Sequence, residues 1–322
     1  MLLLAAVLCG GSAGENLRSA DGLSFMFWNL ENFFDWRNDS TSVSDAEFSS
    51  RGERRWTRKR FLAKSNAIAK GIMWAGAHND GSLPDIIGLA EVENAFVLRQ
   101  LIRKTPLQKL DYKIVHYDSP DRRGIDAALL YRSGRLSLVS SKACHLYDSA
   151  GAVIPTRDIL LAVFSCPDGL PLAALVNHHP SKYGGAAVSA SRRNLALMAL
   201  KNLADSLAHE GISRIVAMGD FNDTPDNPAF RLLEPELVNI SMSMFREGKG
   251  TIRFEGKWEL IDLCFVSGPM SEHSSMSIVY IPFLMVPDKA HGGWKPLRTY
   301  SGPRYLGGVS DHCPIMVQYK PM

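Results

Sequence analysis

The sequence predicts an α/β fold in which two mixed β-sheets pack face to face with helices on the outside. Three observations lead there. Apolar runs of strand length recur from Ser24 to Tyr319, too many for one small sheet. Segments of helical length separate only some of these runs, so hairpins and crossovers must coexist. No repeat, low-complexity tract or Pro/Ser-rich linker divides the 322 residues, and residues 22–322 read as a single domain.

In chain order, Met1 to Cys9 is an uncharged apolar run followed by small residues up to Gly14. It is too short to span a bilayer, and residues 1–14 read as a signal for export to the periplasm or outside the cell, cleaved near Ala13 or Gly14. Leu8 is a large residue just before Cys9, which argues against a lipid anchor. Strands are predicted at Ser24 to Leu30, Asp85 to Val92, Tyr112 to Tyr117, Asp126 to Tyr131, Asp158 to Ser165, Pro171 to His178, Arg214 to Asp220, Glu259 to Val266, Met276 to Phe283 and His312 to Tyr319. The two around Leu161 and Leu172 read as a hairpin. Helices are predicted at Thr57 to Trp74, Asn94 to Arg103 and Ala187 to His209; in the last, Leu195, Met198, Asn202 and Asp205 recur on neighbouring turns.

Hydrophobic residues at 46% and charged residues at 21% exclude a disordered, collagenous or coiled-coil chain. A net charge of +3 permits a phosphate-bearing partner without requiring one. No later stretch stays apolar for about 18 residues, so no stable membrane insertion is expected. Cys144, Cys166, Cys264 and Cys313 lie too far apart for a zinc knuckle or redox motif and read as buried thiols, although export would allow one or two disulfides.

Acidic, amide and imidazole residues gather at the strand ends, where a rigid scaffold aims side chains into a cleft. In Arg214 to Asp223 an apolar strand ends in Asp220 and Asn222, which share a face because strand side chains alternate. That pair suits a carboxylate accepting the proton of a water oriented by the amide; an isolated match also describes an ordinary Asx turn. Asp311 and His312 precede the last strand, one able to bind a divalent metal and the other to act as acid, base or phosphoryl donor. Asp262 interrupts an apolar strand, so it needs a partner, and an imidazole it orients is a productive one. Glu91 closes its strand as a hard oxygen ligand of the kind Mg²⁺ takes. Asn29 and Glu31 repeat the strand-end theme, with Asn29 a neutral orienting ligand. His178 and Lys182 supply a donor and a charge for a phosphate in flight; His178 and His179 face opposite sides of their strand, so at most one reaches the site.

Taken in order, Trp28 to Asn32, Leu89 to Glu91, Asn177-His178, Gly219 to Asn222, Ile261-Asp262 and Ser310 to His312 resemble the signature of the endonuclease/exonuclease/phosphatase superfamily, the DNase I-like enzymes, from Phe25 to Val317. The resemblance implies a four-layer α/β sandwich and Mg²⁺-dependent phosphoester cleavage, with Mn²⁺ as an alternative ion. It implies Glu91 as metal ligand assisted by Asn29 and Asp311, and Asp220 with Asn222 around the attacking water. It further implies His312, oriented by Asp262, and His178 at the phosphoryl oxygens. His179 to Lys182 departs from the pattern of the apurinic-site nucleases, where a tyrosine stands in this region.

Substrate choice rests on the periphery. The loop from Gly292 to Gly308 offers Arg298 and Tyr300 as substrate contacts, with Lys295, Arg304 and Tyr305 nearby, and Lys182 is a third contact. Residues 51–60 carry six basic residues against Glu53 alone, a backbone-phosphate patch for nucleic acid or simply a solvated helix start. The first expectation is therefore an exported nuclease or related phosphodiesterase. The second is a phosphatase or phosphodiesterase of a small phosphorylated molecule or lipid head group, and the third an inactive binding module on the same fold. No protein partner is predicted.

Overall fold

Strands that read as continuous apolar runs must be covered on both faces, and two sheets with helices outside them supply that cover here. The computed structural model describes residues 22–37, 43–79, 81–181 and 186–321. Its strands are β1 (Leu23–Phe33), β2 (Ile86–Val92), β3 (Tyr112–His116), β4 (Asp126–Arg132), β5 (Ser137–Cys144), β6 (Ile159–Ser165), β7 (Pro171–His178), β8 (Ile215–Asp220), β9 (Leu237–Asn239), β10 (Ile252–Phe254), β11 (Lys257–Glu259), β12 (Asp262–Ser267), β13 (Ser274–Ile278), β14 (Met285–Pro287), β15 (Trp294–Pro296), β16 (Tyr300–Ser301), β17 (Arg304–Tyr305) and β18 (Ile315–Tyr319). The main helices are α1 (Val43–Glu47), α2 (Arg58–Ala77), α3 (Ala95–Arg103) and α4 (Ala186–His209).

One six-stranded sheet has the order β13-β18-β1-β2-β4-β3, the other β5-β6-β7-β8-β12-β9. Each holds one parallel pair at its centre, β1 with β2 and β7 with β8, among antiparallel neighbours. A parallel pair needs a long crossover. The chain between β1 and β2 contains α2, and that between β7 and β8 contains α4. Alternation along β1 shows the layering: Phe25 and Phe27 join the core between the sheets, while Met26 and Trp28 join a second core with Phe61, Ile68 and Ile72 of α2. On the far side, Leu197, Leu200 and Ala204 of α4 extend the first core. The result is a four-layer α/β sandwich.

The expected strands appear, with instructive differences at their ends. The run Glu259 to Val266 is split, β11 ending at Glu259 and β12 starting at Asp262. Met276 to Phe283 stops pairing after Ile278, and Pro282 opens a 3-10 turn. β18 begins only at Ile315, because Pro314 has no N–H to give a ladder. β5 was not foreseen: it is an edge strand, serine-rich and mostly exposed, with no apolar face to announce it. The four cysteines beyond Cys9 are free thiols, three of them buried. Among the described residues no helix is long and apolar enough to cross a membrane. Residues 1–14 lie outside the described residues.

Gly88 of β2 lies at a close contact between the sheets. A Cβ there would stand 3.1 Å from Met218 Cε and from Val176 Cγ2, both on the opposite sheet, and 3.2 Å from Phe27 Cδ2. Gly88→Val is therefore expected to destabilise the fold by about 1–3 kcal/mol through overpacking. Urea denaturation reads this directly, and an unshifted midpoint would mean that the sheets do not meet at this point.

Candidate active site

The carboxyl ends of the four central strands lie at one end of the sandwich. Register fixes the neighbours there: His178 pairs with Asp220 across β7 and β8, and Asp262, the first residue of antiparallel β12, pairs with Asp220 from the other side. The ladders of β1 and β2 shift register after Asn29 and Leu89. At these irregularities Glu31, Asn32 and Glu91 adopt left-handed backbone, with φ of 46°, 54° and 59°, and Asn222 does the same after β8 at 51°. Such conformations are uncommon outside glycine, and a bulge is a means of re-aiming side chains at a strand end.

The result brings Asn29, Asp220, Asn222, Asp262, His178 and His312 together. Asn29 Nδ2 donates to Asp220 Oδ2 at 3.0 Å, crossing from one sheet to the other, and Asn29 Oδ1 accepts from Glu31 N at 3.0 Å. Both ends of the amide are thus engaged, and Asn29 holds Asp220 as well as the backbone of Glu31. Asn222 N donates to Asp220 Oδ1 at 2.9 Å and its Nδ2 to His179 O at 3.0 Å. His312 Nδ1 donates to Asp262 Oδ2 at 2.8 Å, which leaves Nε2 facing Asp220 Oδ2 at 3.9 Å. His178 Nε2 faces the same oxygen at 3.8 Å. His179 turns its ring to Phe221 instead.

Burial and charge set the protonation of this group. Burial, with Asp262 adding to it, pushes Asp220 up to about 7 against the opposing pull of His312. Burial works against a charge on His312, but the field and hydrogen bond of Asp262, joined by Asp220 and Asp311, reverse this and raise its pKa well above the ordinary value. His178 is driven the other way, first by burial and then by Arg157 and Arg123, and stays neutral. The arrangement offers a carboxylate poised as a base near neutral pH beside one cationic and one neutral imidazole.

A second cluster lies next to it. Glu31, Glu91 and Asp311 all act on the buried Lys64 ammonium, which burial lowers to about 8 despite them. Lys64 Nζ donates to Glu31 O at 2.5 Å and to Thr299 Oγ1 at 2.8 Å. Arg298 NH2 lies 2.9 Å from Glu31 Oε1 and 3.0 Å from Asp311 Oδ2. Glu91 Oε2 accepts from Asn32 N at 2.8 Å and from Arg123 NH2 at 3.4 Å. Burial and the neighbouring Asp311 raise Glu31 to about 7. Glu31 and Asp311 share Arg298, and with Glu91 they are oxygen donors of the type a hard divalent cation takes; among the described residues the ligand atoms that converge within 4.8 Å of one another are those of Asp220, Asp262 and His312 and, apart from this end, of His116, Asp118 and Asp126.

Of the substrate contacts expected from sequence, Arg298 sits in the carboxylate cluster. Tyr300 lines a pocket with Glu31, Asn32 and Arg298, but its ring packs on Phe48, Trp56 and Tyr305 and its hydroxyl donates to Arg54 O at 2.9 Å. Lys182 lies outside the described residues. The sequence assigned no role to Glu31, Lys64, Arg123 or Arg157, all of which touch the site. Lys64 left one signal, a lysine on the same helical face as Phe61 and Ile68.

Residues 24–320 match the model of a family described as the Endonuclease/Exonuclease/phosphatase family. No curated protein matches. Among solved structures, a mannosyl-6-phosphatase of Bacteroides thetaiotaomicron VPI-5482 aligns at 18% identity and a TM-score of 0.57, covering 92% of this chain and 98% of that one. Truncated TDP2 of Caenorhabditis elegans aligns at 17% identity and 0.58, covering 93% and 98%. The human Nocturnin catalytic domain, with bound sulfate, aligns at 16% and 0.54, covering 92% and 94%. These likenesses establish a shared fold.

The Asp262–His312 bond makes a direct prediction. Asp262→Asn removes the charge that keeps His312 protonated, so the pH at which the imidazole loses its proton should fall, as an NMR titration of the EDTA-treated protein would show. Turnover, once an assay is in hand, should drop roughly 10²–10⁴-fold. An unmoved titration would remove Asp262 from its orienting role.

Proposed function

From the premise that this chain belongs to the endonuclease/exonuclease/phosphatase family, we propose that it is a metal-dependent phosphoester hydrolase acting by in-line attack of an activated water. One observation carries the reading. A buried carboxylate with a pKa near 7, Asp220, is held by two amide-bearing residues and faced by two imidazoles at 3.8 and 3.9 Å.

Asp220 takes the proton of the attacking water, whose position is fixed by the free face of Asn222. The new P–O bond forms as the ester bond opposite breaks, and negative charge grows on the phosphoryl oxygens. Protonated His312 and neutral His178, each presenting a ring nitrogen to the same space, donate to those oxygens or to the leaving oxygen. Asp262 stabilises the imidazolium throughout. Glu31, Glu91 and Asp311, with Asn29 beside them, would hold the divalent cation, Mg²⁺ or Mn²⁺, which supplies charge neutralisation and polarises the ester.

The substrate class has two readings. Phosphodiester cleavage, with nucleic acid as the polymer, draws support from the exposed Arg51, Arg55, Arg58 and Lys59. A small phosphorylated molecule or head group is favoured by the use of the remaining arginines of that stretch inside the fold. Arg54 binds Glu47 and Gly302 O, and Arg60 binds the carbonyls of Arg54 and Arg55, so no continuous cationic strip forms. The apolar leader of residues 1–14 supports an exported enzyme.

Hydrolysis of plasmid DNA, RNA, a generic phosphodiester and a sugar monophosphate, with Mg²⁺ or Mn²⁺ and with EDTA, tests the proposal. Activity should be abolished by EDTA and reduced at least roughly 10²-fold in His312→Ala. Silence on every substrate would favour the binding-module alternative. Glu91→Gln should raise the Mg²⁺ concentration needed for half-maximal rate while leaving the circular dichroism spectrum intact; an unchanged metal titration would reassign the ligand.

A further inference from the structure

Beside the reacting end lies a cavity of about 360 Å³ whose wall includes Arg122, Arg123, Arg157 and Arg192 against a single carboxylate, Asp121. Its size is at the small end of ligand pockets. Asp121 is already committed: Oδ1 accepts from Arg123 N at 2.8 Å, and Oδ2 pairs with Arg157 NH1 at 3.2 Å. The cavity is therefore cationic, and a concave cationic site concentrates anions.

Two contacts join it to the site. Arg123 NH2 donates to Asn32 Oδ1 at 2.7 Å and reaches Glu91 Oε2 at 3.4 Å. Arg157 NH2 donates to His179 O at 2.7 Å, the carbonyl that also accepts from Asn222 Nδ2. Arg157 is only 9% exposed, and its Nε–H has no acceptor among the described residues. A buried donor on a charged group is costly to leave unpaired. Arg157 and Arg123 both line the cavity, so their charge acts on an anion there, and the exposed Arg122 and Arg192 add two more cations around the same space.

We infer that this cavity binds a second phosphate of the substrate, next to the phosphoester that is cut. The inference rests on the hydrolase reading and narrows it: the preferred substrate carries two phosphates a short distance apart. A bisphosphorylated small molecule and the neighbouring phosphate of a nucleic-acid strand present the same chemistry to these arginines.

Matched substrate pairs separate the sources. One pair is a hexose 6-phosphate and the hexose 1,6-bisphosphate, the other a dinucleotide without and with a 5′-phosphate. In one pair the added phosphate should raise kcat/KM at least about tenfold, the worth of one charge-assisted hydrogen bond. The doubly substituted Arg122→Gln/Arg192→Gln should erase most of that ratio. A gain in the hexose pair identifies a small bisphosphate, and a gain in the dinucleotide pair identifies a nucleic-acid backbone. Equal rates within both pairs, or a ratio untouched by the double substitution, would overturn the inference. If no phosphoester is hydrolysed at all, the hydrolase reading fails, and calorimetry with inorganic phosphate on the EDTA-treated protein then decides. Loss of phosphate binding in the double variant supports the cationic site, and identical isotherms overturn it.

Discussion

A carboxylate that is 2% exposed must be compensated from every side, and the demand made by Asp220 organises the rest of this structure. No single strand can meet it. The amide of Asn29 arrives from the opposite sheet, the N–H of Asn222 from the following turn, and the imidazoles of His178 and His312 from β7 and from the segment before β18. Each partner is fixed in turn. Asn29 Oδ1 is occupied by Glu31 N, Asn29 O accepts from Ser310 Oγ at 2.6 Å, and that hydroxyl accepts from His312 N at 2.9 Å. Trp28 Nε1 donates to His312 O at 3.0 Å. A continuous set of hydrogen bonds thus runs from the buried base to the carboxylate cluster and back to the imidazole that faces it.

This organisation has a conformational cost, and its location is informative. Among the described residues, four of the six non-glycine positions with positive φ are Glu31, Asn32, Glu91 and Asn222, each destabilising by about 1–3 kcal/mol unless its surroundings hold it. They are held: Glu31 by Thr299 N and Arg298, Glu91 by Asn32 N, Asn222 by Asp220 and His179 O. The unpartnered buried atoms include Asp262 Oδ1, His178 Nδ1 and Asn177 Oδ1, which belong to the same end of the sandwich. Backbone strain gathers where chemistry is proposed, while the cores between the layers are apolar and regular.

Much of this was legible in the sequence because each layer leaves its own periodicity. Continuous apolar runs announced the buried strands and helical spacing announced the three longer helices, whereas only the structure shows that α2 and α4 are the crossovers of the parallel pairs. Asp220, Asp262 and His312 were legible for a related reason, since a polar residue breaking an apolar run needs a partner. The edge strand β5 was not, because its serines carry no pattern. The packing of Tyr300 was not legible, since an aromatic in a glycine-flanked loop looks the same whether it faces solvent or, as here, packs on Phe48, Trp56 and Tyr305. Arg54 and Arg60 looked like a solvent patch because a sequence shows charge without showing the carbonyls that absorb it. Arg157 was silent: its importance lies in a contact with His179 O, twenty-two positions away and just past the end of β7.

The charges around the reacting end are segregated. On one wall Glu31, Glu91 and Asp311 gather around Lys64 and Arg298, and on the other Arg122, Arg123, Arg157 and Arg192 face a single carboxylate, with Arg123 touching both. On the proposed reading a phosphoester is drawn most strongly to the second wall and would enter with an anionic group toward the arginines. Its reactive phosphorus then lies between Asp220 and the two imidazoles only if the distance from that anchor to the ester bond matches the distance between the walls. Counter-charge at the carboxylates removes the remaining repulsion, and its effect is greatest for an ester already oriented by the cationic cavity. On the proposed reading, selectivity in this chain would follow from the spacing between two anions as much as from the identity of the group that leaves, because the core fixes the chemistry and the arginines of the wall fix the anchor.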